Sequence, residues 1–293
     1  MTNHKSEYRP SIHRFALGDA FVTTIQDGAH LRQPINPPFL MDKSDAEITE
    51  IASVNNLPPN GFENSYSPTV VTISGQTILF DTGFGKMGHN NNAGNLRRRL
   101  GKAGYAPEDI EVVAFTHCHP DHIAGIMEEG VPAYPNARYV IGRHEYDTWK
   151  EGSKIPPQRA QNREMFLNLL PQLADRMTFV EDGDAIIPGL TAEAAFGHSL
   201  GHMMYRAESA GKSLLIWGDV TNHYVFSLQF PESTVGFDDN KEMAIKSRKR
   251  VLDMVATDGL LVSGYHMPFP SVGYVERHGN SFRWTPASYQ LRM

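Results

Sequence analysis

The hydrophobic positions of this chain fall into short runs separated by turn residues, and the runs come in two sets. Ala20 to Gln26 reads as a first strand, ended by Asp27-Gly28. Val70 to Ser74 and Thr77 to Phe80 read as a hairpin around Gly75-Gln76. Ile110 to Phe115 and Ala137 to Gly142 follow as buried strands. The second set is Met177 to Val180, Leu190 to Ala195, Met203 to Ala207, Leu214 to Trp217 and Leu260 to Ser263, closed by a hairpin of Val272 to Glu276 and Phe282 to Thr285 across Gly279-Asn280. Helical patterns lie between them. They cover Asp45 to Val54 behind Ser44 as N-cap, Asn92 to Ala103 before Gly104, a turn over Ile123 to Glu129, His144 to Lys150, Arg163 to Leu170, and Lys241 to Ala256. Residues 1–19 read as an irregular arm, and 33–66 as a long loop segment rich in proline and asparagine, of the kind that borders a site or an interface.

Two sets of strands, each followed by helices, predict an α/β (α+β) chain folded as a four-layer αββα sandwich. We read residues 1–293 as a single domain, with the arm at 1–19 and a C-terminal hairpin and tail at 270–293; no linker marks a second one.

The chemistry is concentrated in Thr116-His117-Cys118-His119-Pro120-Asp121-His122. On an extended strand end, His117 and His119 point the same way and Cys118 points the other. Pro120 breaks the strand, and Asp121 and His122 follow in the turn that opens the next segment. Four such ligands on one short loop cannot all serve one tetrahedral ion without strain. They suit two adjacent ions, His117 and His119 on one, Asp121 and His122 on the other.

Charge and composition narrow the function. Hydrophobic residues make up 40% and charged residues 20%, an ordinary globular balance. A formal net charge of −6 disfavours a general nucleic-acid binder. Arg97 to Arg99 and Lys246 to Arg250 read as solvated helix faces. Cys118 is the one cysteine, so no intrachain disulfide forms, and a reducing compartment fits. Met1 to Leu17 lacks an apolar core of signal-peptide length, and no stretch approaches the roughly 20 apolar residues of a membrane span. A cytoplasmic protein that binds neither membrane nor nucleic acid is the expectation.

The heptad is the H-x-H-x-D-H signature, and here the chain resembles the metallo-β-lactamase superfamily. The resemblance implies further ligands. Phe196 to His202 resembles the superfamily's G-H-[ST]-x-G-H segment, which makes His198 the ligand and leaves His202 packed or hydrogen-bonded nearby. Asp219, ending the Leu214 to Asp219 run, matches the bridging carboxylate, and His266 the last ligand. The implied first ion takes His117, His119, His198 and Asp219; the second takes Asp121, His122, His266 and Asp219. Asp81, after the first hairpin, matches a residue that orients ligating imidazoles without binding metal itself. Of the thirteen histidines, His4, His13, His30, His89, His144, His223 and His278 are left as surface or structural residues.

Imidazole and carboxylate donors without thiolate suit two Zn²⁺, with Mn²⁺, Co²⁺ or Fe²⁺ as alternatives. Such a pair generates a bridging hydroxide near neutral pH and polarises a carbonyl or phosphoryl oxygen. The expected activity is therefore hydrolysis of ester-like bonds in small molecules, with Asp121 also holding the nucleophile in line. Four stretches carry a narrower resemblance, to the methyl-parathion-hydrolase-like branch beside the N-acyl-homoserine lactonases: His13 to Asp19, His198 to His202, Trp217 to Asp219, and Tyr265 to Pro270 with Phe282 to Trp284. It implies a lactonase or esterase, or alternatively an organophosphate hydrolase, and a homodimer with the segment before residue 66 as contact. A non-catalytic metal-binding protein and a mono-iron thiol dioxygenase are the rivals on the same fold. One feature departs from the pattern. Lactonases of this type carry a tyrosine three residues after the bridging aspartate, where this chain has Asn222; Asn222, His223 and Tyr224 are the candidate replacements. Phe62, Tyr66, Phe84, Trp149, Phe226, Met267 and Phe269 are candidate pocket walls.

Overall fold

The structure is a computed structural model that describes residues 9–289, 291 and 292. The first eight residues of the predicted arm, and residues 290 and 293 of the tail, lie outside them.

Two seven-stranded sheets form the body. The first runs Ile12–Leu17, Ala20–Ile25, Thr69–Ile73, Gln76–Phe80, Val112–Ala114, Arg138–Gly142, Met177–Val180 in spatial order. The second runs Ala185–Ile187, Leu190–Ala194, Met203–Ser209, Lys212–Ile216, Leu261–Ser263, Val272–His278, Ser281–Pro286. Central strands are apolar on both faces because both faces are covered. Side chains alternate between two cores, as the strand period requires. Val71, Ile78, Phe80, Val112 and Val140 meet Met203, Tyr205, Leu214, Ile216 and Leu261 between the sheets. Their neighbours Val70, Leu79, Val113 and Ile141 face outward onto Leu96, Leu100, Trp149 and Phe166 of the flanking helices. On the other side Met204, Leu215 and Val262 pack under Val251, Leu252 and Val255 of the helix Lys241–Asp258. This is the αββα order.

Helix Asp45–Val54 begins as predicted, with a reciprocal cap: Glu47 N–H donates to Ser44 Oγ, and Ser44 N–H donates to Glu47 Oε2 at 2.8 Å. Three expectations are corrected. Residues 12–17 are not irregular: Ile12–Leu17 pairs antiparallel with Ala20–Ile25, burying Phe15 and Leu17. The loop segment contains a strand, Phe62–Tyr66, which pairs with Gly28–Arg32 in a small sheet of its own. The basic clusters are not wholly solvated. Arg99 is buried against the Gln26 carbonyl, and Arg248 is 1% exposed and ion-paired to Asp238 at 2.7 Å.

Ligand-bearing loops leave the carboxyl ends of parallel strands, the edge where such sheets present their sites. Phe80 leads to Asp81, Ala114 to the histidine loop, Ile216 to Asp219 and Ser263 to His266.

Candidate metal centre

Each loop is shaped by its own residues. His119 stands at the N-cap position of the four-residue helix Pro120–Ile123, whose first position is Pro120. The turn holds His117 and His119 on one side while Cys118 is buried in the outer core of the first sheet. Asp81 sits in the left-handed region at φ 62°, a costly conformation for a residue with a Cβ. Its carboxylate holds it there, accepting Thr116 N–H, Thr116 Oγ and His122 Nδ1, each at 2.8 Å. Gly218 is also left-handed, and a Cβ there would lie 2.6 Å from His202 Nε2 and 2.9 Å from Thr116 Cβ. The strand therefore reaches Asp219 only through glycine.

The structure brings the seven predicted ligands into two adjacent groups: His117, His119 and His198, then Asp121, His122, Asp219 and His266. Asp219 spans them. Its Oδ2 lies 3.1 Å from His198 Nε2 and 2.9 Å from His266 Nε2, and its Oδ1 lies 3.4 Å from His122 Nε2.

Every imidazole in the two groups has its outer nitrogen engaged, which fixes tautomer and ring direction. His117 Nδ1 donates to Thr116 Oγ at 3.0 Å, His122 Nδ1 to Asp81, His198 Nδ1 to Asp238 at 2.9 Å, His266 Nδ1 to the Ser65 carbonyl at 2.8 Å, and His119 Nε2 to Asp239 at 3.3 Å. The inner nitrogens of His117, His119 and His198 converge at 3.0 Å from one another in sequence. At that separation only a proton or a cation fits between neighbouring nitrogens, and a single cation serves all three at once. His122 Nε2 and Asp219 Oδ1 are buried without hydrogen-bond partners. Converging imidazole nitrogens and buried ligand atoms without hydrogen-bond partners fit divalent cations at both groups.

Charge is balanced through the outer residues. Burial would push the His198 imidazole down, but the Asp219 and Asp238 carboxylates outweigh it and raise it to about 9. Burial, with the Arg159 guanidinium, pushes His119 down to about 4 against the pull of Asp239. Burial would raise Asp239, yet His119 and Arg159, the latter at 2.8 Å, hold it at about 2.

A cavity of about 250 Å³ opens over the two groups. Asp121 and Asn222 line it, and Asn222 Nδ2 donates to Asp219 Oδ2 at 3.0 Å. His223 and Tyr224 are not among the lining residues. His223 is buried with Nδ1 accepting the backbone N–H groups of Val225 and Phe226, and Tyr224 packs into the neighbouring apolar clusters. Among the candidate walls, Tyr66 and Phe84 line the cavity; Phe62, Trp149, Phe226 and Met267 are core residues, and Phe269 is half-buried outside it. His202 stays out of both groups and accepts the Asp219 N–H at 3.0 Å.

Sequence reasoning missed several residues. Thr116, Asp238 and Asp239 engage the outer nitrogens of His117, His198 and His119; Arg32, Asn64, Arg159 and Phe237 line the cavity. The one available signal was Asp238-Asp239 just before Asn240, the N-cap of the long helix, where paired acids read as ordinary turn residues.

The family model of the metallo-beta-lactamase superfamily matches residues 62–258. An N-acyl homoserine lactonase of Bacillus cereus is 28% identical over 165 residues, 56% of this chain and 58% of that protein. A second, from Bacillus sp, is 28% identical over 181 residues, 60% of this chain and 62% of that protein. The chain thus matches about three-fifths of the length of these curated relatives. Among solved structures, AidC, a dizinc quorum-quenching lactonase in complex with a product, superposes with a TM-score of 0.89 at 23% identity, covering 96% of this chain and 98% of that one. The hydrolase AbOPH of the beta lactamase superfamily superposes with a TM-score of 0.87 at 25% identity, covering 96% and 99%. With the family model spanning well over half of its length, this chain belongs to the metallo-beta-lactamase superfamily.

Proposed function

We propose that the protein is a dinuclear metallohydrolase that opens ester-like bonds, with a lactone or carboxylic ester as substrate. The observation that carries the reading is the pair of donor groups joined by Asp219, with every imidazole's outer nitrogen engaged. His117, His119, His198 and Asp219 would hold one ion, and Asp121, His122, His266 and Asp219 the other. Imidazole and carboxylate favour zinc, which is also the metal of AidC. Ions of this kind supply Lewis acidity, lowering the pKa of water toward about 7 and polarising an acyl oxygen.

The rest of the work falls to the chain. Asp219 keeps the groups in register, and the bond from Asn222 fixes its plane. Asp121 faces the cavity with its side chain 16% exposed, placed to accept a proton or orient an attacking oxygen. Tyr66, Phe84 and Phe237 give the cavity apolar surface, which suits acyl groups. The lactonase relatives support the lactone over the other esters. Both sheets contribute donors to one site, which supports reading the chain as one domain.

The test is metal content together with kcat/KM on N-acyl-homoserine lactones, simple lactones, aryl esters and an aryl phosphotriester, with chelated protein as blank. We expect two ions per chain and a lactone preference of about a hundredfold, roughly 2.7 kcal/mol of transition-state discrimination. A phosphotriester preference of that size selects the organophosphate reading instead. One ion per chain with oxygen uptake selects the thiol dioxygenase, and two ions without turnover the binding protein.

A further inference from the structure

Tyr66 supplies the phenol on the cavity wall. It ends the strand Phe62–Tyr66, in the small sheet that stands outside both large ones. Arg32 and Asn64 of that sheet line the same cavity. Asn64 Nδ2 donates to Tyr66 Oη at 2.8 Å. The Arg32 guanidinium lines the same cavity, where its positive charge acts on the phenol. The phenol oxygen therefore accepts the Asn64 amide from the wall and sends its own hydrogen elsewhere. His30 Nε2, at 3.5 Å, is beyond the usual reach of a hydroxyl donor. The ring is held edge-on against Phe84 at 4.9 Å and His266 at 5.4 Å between centroids, so it cannot swing away. Arg32 is itself stacked on Phe237 at 5.1 Å, which fixes its direction. Asn222, the other amide near the second group, gives one of its two Nδ2 hydrogens to Asp219.

We propose that Tyr66 donates its hydroxyl hydrogen to a carbonyl-type oxygen of the substrate, and that Asn64 and Arg32 are positioning residues that aim it. The proposal rests on the ester-hydrolase reading and deepens it: the substrate is a neutral acyl compound whose oxygen meets a fixed phenol. A preorganised donor of this kind acts most strongly where charge develops on that oxygen.

The test compares wild type with Tyr66→Phe, Asn64→Leu and the double variant, each with both metal ions bound. It reads kcat/KM on the lactone and ester panel, metal content, and calorimetric binding of the lactam analogue of N-hexanoyl-homoserine lactone. Tyr66→Phe removes one oxygen and keeps the ring packing. We expect it to lower kcat/KM by about 10–100-fold, weaken the lactam roughly tenfold and leave metal content unchanged. Asn64→Leu should cost less and add nothing in the Tyr66→Phe background, a masking that a purely structural role would not give. Equal kcat/KM and lactam affinity in Tyr66→Phe and wild type overturns the proposal and leaves the hydrolase reading intact. So does an Asn64→Leu loss that adds in full to that of Tyr66→Phe. A wild type without turnover that still binds the lactam through Tyr66 sinks the hydrolase reading alone. Neither turnover nor lactam binding sinks both.

Discussion

Glu145 Oε1 accepts the backbone N–H of Cys118 at 2.8 Å, which ties the helix Arg143–Glu151 to the loop carrying His117 and His119. The other oxygen accepts Gly201 N–H at 2.9 Å, Ser199 Oγ donates to the same carboxylate, and Trp149 Nε1 donates to Oε1 at 2.8 Å. One fully buried carboxylate thus clamps two loops of the first metal group. Glu145→Gln replaces one acceptor oxygen with a donor, which leaves a buried N–H unpaired at a cost of about 1–3 kcal/mol. The variant should melt several degrees lower and bind its first metal less tightly. Unchanged thermal unfolding and unchanged metal affinity would remove Glu145 from this role.

Asp81 serves the second group through His122 and reaches the first only through Thr116. Asp81→Asn should therefore weaken metal binding by about 10–100-fold, chiefly at the group of Asp121, His122, Asp219 and His266. A chelator competition that resolves two affinities reads this directly. An equal loss at both groups would contradict the local assignment.

The legible part of this fold was its periodicity and its one dense motif. Val112–Ala114, Leu214 to Ile216 and the helix Lys241–Asp258 announce themselves because burial forces apolar runs or a helical stripe. The candidate ligands were legible because His117 to His122 pack four donor residues, three imidazoles and a carboxylate, into one short loop. Ile12–Leu17 was hidden because His13 and Arg14 interrupt its apolar alternation near a terminus. Arg248 was hidden because a single buried guanidinium inside Lys246 to Arg250 has the same composition as a solvated face. Its partner Asp238 is ten residues away, and Glu145 is distant in sequence from both loops it holds. Such long-range polar partners leave no local pattern to read.

Removing the metals should loosen the whole centre, because the inner nitrogens of His117, His119 and His198 then face one another without a shared cation. Binding to the folded state alone stabilises by about 2.7 kcal/mol per site when free metal is a hundred times Kd. Chelation is expected to lower the melting temperature, and titration with Zn²⁺ to restore it in two steps. A melting temperature indifferent to chelation, with metal loss verified by elemental analysis, would argue against a metal centre built from these residues.

The last prediction concerns His223, which lies outside both donor groups. Its Nδ1 accepts Val225 N–H at 3.1 Å and Phe226 N–H at 3.2 Å, opening the short helix Phe226–Gln229. Its ring stacks on Phe226 at 4.2 Å between centroids. Burial pushes its imidazole down to about 3, against roughly 6.5 in an unfolded chain. Between those values the unfolded chain binds a proton that the folded one refuses. The His223 contribution is therefore complete above about pH 6.5 and lost as pH falls toward 3, at about 1.4 kcal/mol per pH unit. Asparagine at this position keeps an acceptor for the helix start and does not titrate. Metal-free His223→Asn should be less stable than wild type at pH 7, through lost ring packing. Between pH 6 and pH 4 its stability should fall less steeply, by about 1.4 kcal/mol per unit. Denaturant unfolding of both proteins across that range checks this, since every other titration is common to the two. Parallel curves would mean that His223 is protonated in the fold as readily as in the unfolded chain.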